Sequence, residues 1–93
     1  MEAFMYILLC GNGKYYTGST TNLEKRLEQH QFGEGAKFTK KHLSVKLVHF
    51  ETFDRIDAAF EREKQVQNWS KAKKEALINK DFLSLKELSK GKK

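Results

Sequence analysis

Phe4-Met5-Tyr6-Ile7-Leu8-Leu9-Cys10-Gly11-Asn12-Gly13-Lys14-Tyr15-Tyr16-Thr17-Gly18 reads as two strands joined by a tight turn, and that reading decides the fold. Residues 4–10 are short, apolar and rich in β-formers, and Gly11-Asn12-Gly13 is a turn signal. Tyr15-Tyr16-Thr17 then reads as a second, antiparallel strand. With the turn residues in the loop, Cys10 faces Lys14. The even-numbered residues Tyr6, Leu8, Cys10, Lys14, Tyr16 and Gly18 then share one face. This register sets Tyr6 opposite Gly18 and diagonal to Tyr16, and a slip of one residue would part the tyrosines.

Downstream, Thr21-Asn22-Leu23-Glu24 fits a capping box with Thr21 as N-cap. The helix it opens spans about Asn22 to His30, with Leu23 and Leu27 as its buried stripe and Arg26 and His30 on the border of that stripe. Residues 33–43 read as a basic loop, and Val45 to Phe53 as a third strand. Asp54 is the candidate cap of a helix from about Arg55 to Trp69, whose apolar face is Ile56, Ala59, Phe60 and Val66. Ser70 caps a lysine-rich helix through Ile78. Asp81 caps a last one with Phe82, Leu85 and Leu88 on one side. The expectation is one domain, an α/β (α+β) sandwich, with residues 1–80 as its main body and 81–93 as a terminal helix and basic tail.

The 93 residues carry 18 Lys+Arg against 12 Asp+Glu, a formal charge of +6 and a pI near 9.5. That balance favours a polyanion, nucleic acid before an anionic membrane surface. The single cysteine, Cys10, excludes an internal disulfide and a cysteine metal cluster. The apolar run near the N-terminus is too short to span a bilayer and lacks the plan of a signal peptide, so a cytoplasmic setting is expected.

Glu63 is the most informative residue. It lies four after Ala59 and three before Val66, so a carboxylate falls in the middle of an apolar helix face. An unpaired buried carboxylate would cost several kcal/mol. Two compensations are open: a salt bridge to Arg26 or a lysine, or a divalent cation held with waters and a substrate phosphate. Arg26 suits charge building on a phosphoryl oxygen. His30, one turn on, can hydrogen-bond, hold a tyrosine or move a proton. Tyr6 and Tyr16 either pack in the core with bonded hydroxyls or line a pocket floor.

Together these groups resemble the GIY-YIG endonuclease superfamily. Phe4-Met5-Tyr6 stands in the place of GIY and Tyr16-Thr17-Gly18 in the place of YIG, followed by Arg26, His30 and Glu63 in order and spacing. The match spans roughly Phe4 to Ile78 and most resembles small stand-alone excinuclease-C-like proteins. It implies a three-stranded antiparallel sheet flanked by helices. It also implies a nuclease that hydrolyses DNA, single-stranded, branched or damaged, leaving 5′-phosphate and 3′-hydroxyl ends, with repair as the family's analogy. The roles implied are Tyr6 or Tyr16 as general base or water-positioner, Arg26 as stabiliser of the phosphorane, and Glu63 as holder of one Mg²⁺ or Mn²⁺. The pattern is not copied throughout. Phe4 replaces the first glycine, Thr17 replaces isoleucine, and Ser19 stands where excinuclease domains carry a lysine. Lys14 is the candidate replacement for that lysine, and Gln67 the counterpart of an amide that follows the glutamate.

Phosphate contacts are expected from Lys14, Lys37, Thr39, Lys40, Lys41, Gln67, Lys71, Lys73 and Lys74, which position a backbone without reading bases. Phe38 and Trp69 are candidates for base stacking, with core packing the favoured alternative. His42 and His49 read as structural. RNA is the second candidate substrate. Two rival readings are a non-catalytic nucleic-acid-binding module and a nuclease that needs a protein partner for substrate recognition.

Overall fold

The turn after β1 closes at Gly13, whose φ of +84° lies in the region open to glycine. Gly13 N–H donates to Cys10 O at 2.8 Å and Cys10 N–H to Lys14 O at 2.8 Å, the expected facing of Cys10 and Lys14. The computed structural model describes residues 2–31 and 44–91. Along the chain run β1 (Ala3–Cys10), β2 (Tyr15–Thr20), α1 (Leu23–Gln31), β3 (Val45–Phe53), α2 (Ile56–Gln67), α3 (Lys71–Ile78) and α4 (Phe82–Gly91). The sheet is antiparallel with order β2-β1-β3. Its pairing sets Tyr6 against Gly18 and Leu8 against Tyr16, the register read from the hairpin. A bulge shifts the β1–β3 pairing between Ile7 and Leu8, which face His49 and Leu47 and leave Val48 as the extra residue.

Central β1 is covered on both faces, which is why its sequence is almost continuously apolar. Met5 and Ile7 pack with Val66 of α2 and Leu77 of α3, flanked by Tyr15, Val48, Phe53, Trp69, Ile78 and Leu85. On the opposite face Tyr6 meets His30 of α1. The sheet is therefore sandwiched between α1 and the later helices, as the resemblance implied.

The helix starts differ in part from the sequence reading. Asn22, not Thr21, caps α1, because its Oδ1 accepts from Lys25 N–H at 3.1 Å. Asp54 does not cap α2. Arg55 occupies that position with no side-chain cap bond, and its guanidinium grips Asp57 instead, at 2.6 and 3.1 Å. Ser70 and Asp81 do cap, accepting from Lys73 N–H and Ser84 N–H at 3.2 Å each.

The apolar face of α2 is narrower than expected. Ala59 and Val66 are fully buried, whereas Ile56 and Phe60 are exposed and Lys64 lies over the Phe60 ring. Phe82 likewise stands exposed, while Leu85 and Leu88 are half-buried. Trp69 packs against the core with Arg62 and Lys73 over its ring, so core packing is its role. Phe38 and His42 lie outside the described residues. His49 is structural: it bonds Glu51 at 2.9 Å, and Arg62 of α2 donates to both Glu51 oxygens. His49 and the Arg62 guanidinium together hold Glu51 down to about 2. This pins α2 to β3 one residue before Glu63.

Candidate active site

Gly18 is the point about which the candidate side chains assemble. A Cβ there would lie 2.5 Å from the Tyr6 hydroxyl oxygen and 3.2 Å from a ring carbon of Tyr16. The missing side chain is what lets both phenols reach this part of β2. Tyr6 is only 1% exposed and its hydroxyl lies 3.1 Å from His30 Nε2. Ring centroids are 5.9 Å apart for Tyr6–His30, 5.2 Å for Tyr16–His30 and 6.4 Å for Tyr6–Tyr16. His30 is fully buried rather than at the border of the α1 stripe, whereas Leu23 and Leu27 are only half-buried. The imidazole, not a leucine, is the deepest anchor of this helix.

Charge converges on the same point. Burial raises the Tyr6 phenol first, then the neighbouring Tyr16 and Glu63. The Arg26 guanidinium, within hydrogen-bonding reach of Tyr6, acts in the opposite sense. Tyr16 is raised by burial and by the Glu63 charge, again opposed by Arg26. His30 is lowered by burial and by Arg26, so its imidazole is neutral at neutral pH. A neutral ring accepts at Nε2 from the Tyr6 hydroxyl and carries its own proton on Nδ1.

Glu63 answers the question its position raised. Its Oε1 accepts from Ser19 Oγ at 2.6 Å. Among the described residues the ion pairs are His49–Glu51, Arg55–Asp57 and Arg62–Glu51, so neither Arg26 nor a lysine neutralises Glu63 there. No group of three His, Cys, Asp or Glu side chains among the described residues can form an all-protein metal cage. The donor set is therefore one half-buried carboxylate with an oxygen to spare. Ser19, standing where a lysine was the comparison, is a partner the sequence reading missed. Its only sequence signal is its place directly after Gly18.

Tyr6, Tyr16, Arg26, His30 and Glu63 thus come together. Lys14 does not join them; it lines a separate recess with Lys71 and Lys74. Lys73 turns onto Trp69, its ammonium 4.2 Å from the ring centroid. Gln67 is exposed at the end of α2, one turn beyond Glu63. Lys37, Thr39, Lys40 and Lys41 lie outside the described residues. No helix among the described residues is long and apolar enough to cross a membrane.

The family model of the GIY-YIG catalytic domain matches residues 2–76. A UPF0213 protein of Natronomonas pharaonis is 47% identical over 77 residues, covering 83% of this chain and 91% of that protein. One of Syntrophus aciditrophicus is 44% identical over 79 residues, covering 84% and 91%. The solution structure of a UPF0213 protein from Bacillus halodurans, 37% identical, covers 85% of this chain and 84% of its own with a TM-score of 0.55. That of a protein from E. faecalis, 32% identical, covers 89% and 88% with a TM-score of 0.59. With that model matched over most of its length, the chain belongs to the GIY-YIG domain family, a nuclease superfamily, among relatives of the UPF0213 type.

Proposed function

We propose that this protein is a metal-dependent endonuclease that hydrolyses phosphodiester bonds of single-stranded, branched or damaged DNA and leaves 5′-phosphate and 3′-hydroxyl ends. One observation carries the reading. A phenol bonded to a neutral imidazole sits where the charges of an arginine and a carboxylate both reach it.

A divalent cation fits the carboxylate. Magnesium takes one or two carboxylates and fills its remaining positions with waters and substrate phosphate. Glu63, oriented by Ser19 and without a cationic partner among the described residues, is such a donor. Bound there, Mg²⁺ or Mn²⁺ would supply Lewis-acid charge to the leaving 3′ oxygen.

The chain's own groups account for the proton and the developing charge. Tyr6 is no standing base, because burial keeps its phenol protonated. It acts as a conduit: the attacking water gives a proton to the Tyr6 oxygen as the Tyr6 proton passes to His30 Nε2. The half-buried Tyr16 orients that water at the cleft surface. Arg26 stabilises the negative charge gained by the phosphoryl oxygens in the transition state.

The test is a cleavage panel of end-labelled single-stranded, duplex, flap and junction DNA and single-stranded RNA, with Mg²⁺, Mn²⁺ or EDTA. Metal-dependent scission with products that ligate without prior phosphorylation is expected. Salt-sensitive binding without scission under any condition would replace the reading with a binding module.

A further inference from the structure

A second polar feature lies outside the tyrosine cluster. Gly13, Lys14 and Tyr15, where the turn enters β2, and Lys71 and Lys74 on α3 line a recess of about 220 Å³. None of these lysines forms an ion pair with another described residue. Lys74 is partly withdrawn from water, and that desolvation lowers its pKa. The adjacent acid, Glu75, accepts from the Tyr15 hydroxyl at 3.1 Å. Lys73 is drawn off to Trp69. Two separate elements therefore line one concavity with lysines, while the acid next to Lys74 in the chain is bonded to Tyr15. Like charges gathered this way repel unless an anion joins them.

The recess also has a fixed relation to the candidate active site. Tyr15 and Ser19 both belong to β2, an edge strand, and Ser19 bonds Glu63. Four residues of strand at roughly 3.3 Å each separate the two points by about 13 Å. A stacked nucleic-acid strand advances about 3.4 Å per nucleotide, so that distance is about four nucleotides, and fewer when the strand is extended.

We propose that the Lys14–Lys71–Lys74 recess is a phosphate-binding site. It holds the backbone of a single nucleic-acid strand lying along the outer edge of β2, a few nucleotides from the bond that is cut. The position of that bond rests on the endonuclease reading; the anion site itself does not. The recess fixes how the strand enters and contributes nothing to base recognition.

The experiment compares the full chain with a Lys14→Ala/Lys74→Ala variant, both carrying Glu63→Gln so that binding is read without cutting. Affinity for a single-stranded oligonucleotide is measured across salt concentrations in EDTA. Each lost phosphate contact on a single strand lowers the slope of log affinity against log salt by about 0.7, so a drop of about 1.4 is expected. Titration with inorganic pyrophosphate, followed by NMR, should shift the amide signals around Lys14 and Lys74 in the parent and not in the variant. An unchanged slope with no such shifts would overturn the proposal. In the cleaving protein, a neutral methylphosphonate placed one to six linkages from the cut should slow cleavage at one position, and the lysine variant should lose that sensitivity. A flat profile would overturn the placement. Failure of all cleavage would overturn the endonuclease reading and leave the salt slope to decide the recess.

Discussion

Replacing Gly18 by alanine puts a methyl group 2.5 Å from the Tyr6 hydroxyl oxygen and 2.7 Å from the ring carbon that bears it. Restoring van der Waals separation of about 3.5 Å means a displacement on the order of 1 Å. Tyr6 cannot swing away into solvent, since it is 1% exposed and bonded to His30. Overpacking of this kind costs about 1–3 kcal/mol, and spoiling a buried hydrogen bond adds about 1–3 kcal/mol. The variant should therefore lose about 2–6 kcal/mol of stability, read as a lower urea midpoint at unchanged slope. Because the same shift moves the phenol out of line, the cleavage rate of the folded fraction should fall about 100-fold. Gly13→Ala is the control. Gly13 has positive φ and, beyond its chain neighbours, no atom of a described residue within 4 Å of an added Cβ. It should cost only the strain of a left-handed residue, about 1–2 kcal/mol, so its urea midpoint should fall less than that of Gly18→Ala. A Gly18→Ala protein as stable and as fast as wild type would refute the packing argument.

Further expectations follow from single features of the site. Thr17 buries its hydroxyl with no hydrogen-bond partner among the described residues, so Thr17→Val should raise stability by about 1 kcal/mol, measurable by the same denaturation; a loss would mean the hydroxyl has a partner after all. His30 works neutral and its pKa is lowered, so kcat/KM should hold from neutral pH down past the ordinary histidine value of about 6.5 before it falls; a decline that begins above pH 7 would contradict the relay. Stability has the same sign: the unfolded chain takes up this proton near pH 6.5 and the folded chain only lower, so stability is full above about 6.5 and diminishes as pH drops toward the folded value. Arg26→Ala should keep most of the affinity for DNA and lose turnover; a parallel loss of binding and rate would assign Arg26 to the ground state.

The hairpin was legible because a short apolar run of β-formers and a glycine-asparagine turn agreed, and the register then placed the tyrosines without further information. Glu63 was legible for the opposite reason: a carboxylate between Ala59 and Val66 violates the pattern of its own helix. What escaped the sequence depended on tertiary partners. His30 looked like a border residue because helical position cannot tell that Tyr6 will meet it from the sheet. Ile56 and Phe60 looked buried because hydrophobicity alone does not show how narrow a stripe of α2 is covered. Asp54 looked like a cap, but the Arg55–Asp57 pair takes the helix start in another direction. Ser19 carried no signal beyond its place directly after Gly18 and acquired its role only when α2 was laid across β2.

The central claim is that Glu63 acts in chemistry rather than in folding or binding. Single-turnover cleavage of the best substrate in the panel, by wild type and Glu63→Gln with Mg²⁺, tests it most directly when affinity is measured on the same samples in EDTA. The account predicts equal affinity in EDTA and a rate lowered at least about 100-fold, the order seen when a group acting on transition-state charge is removed. Cleavage at the wild-type rate by Glu63→Gln, or a loss of rate matched by an equal loss of affinity, would contradict it.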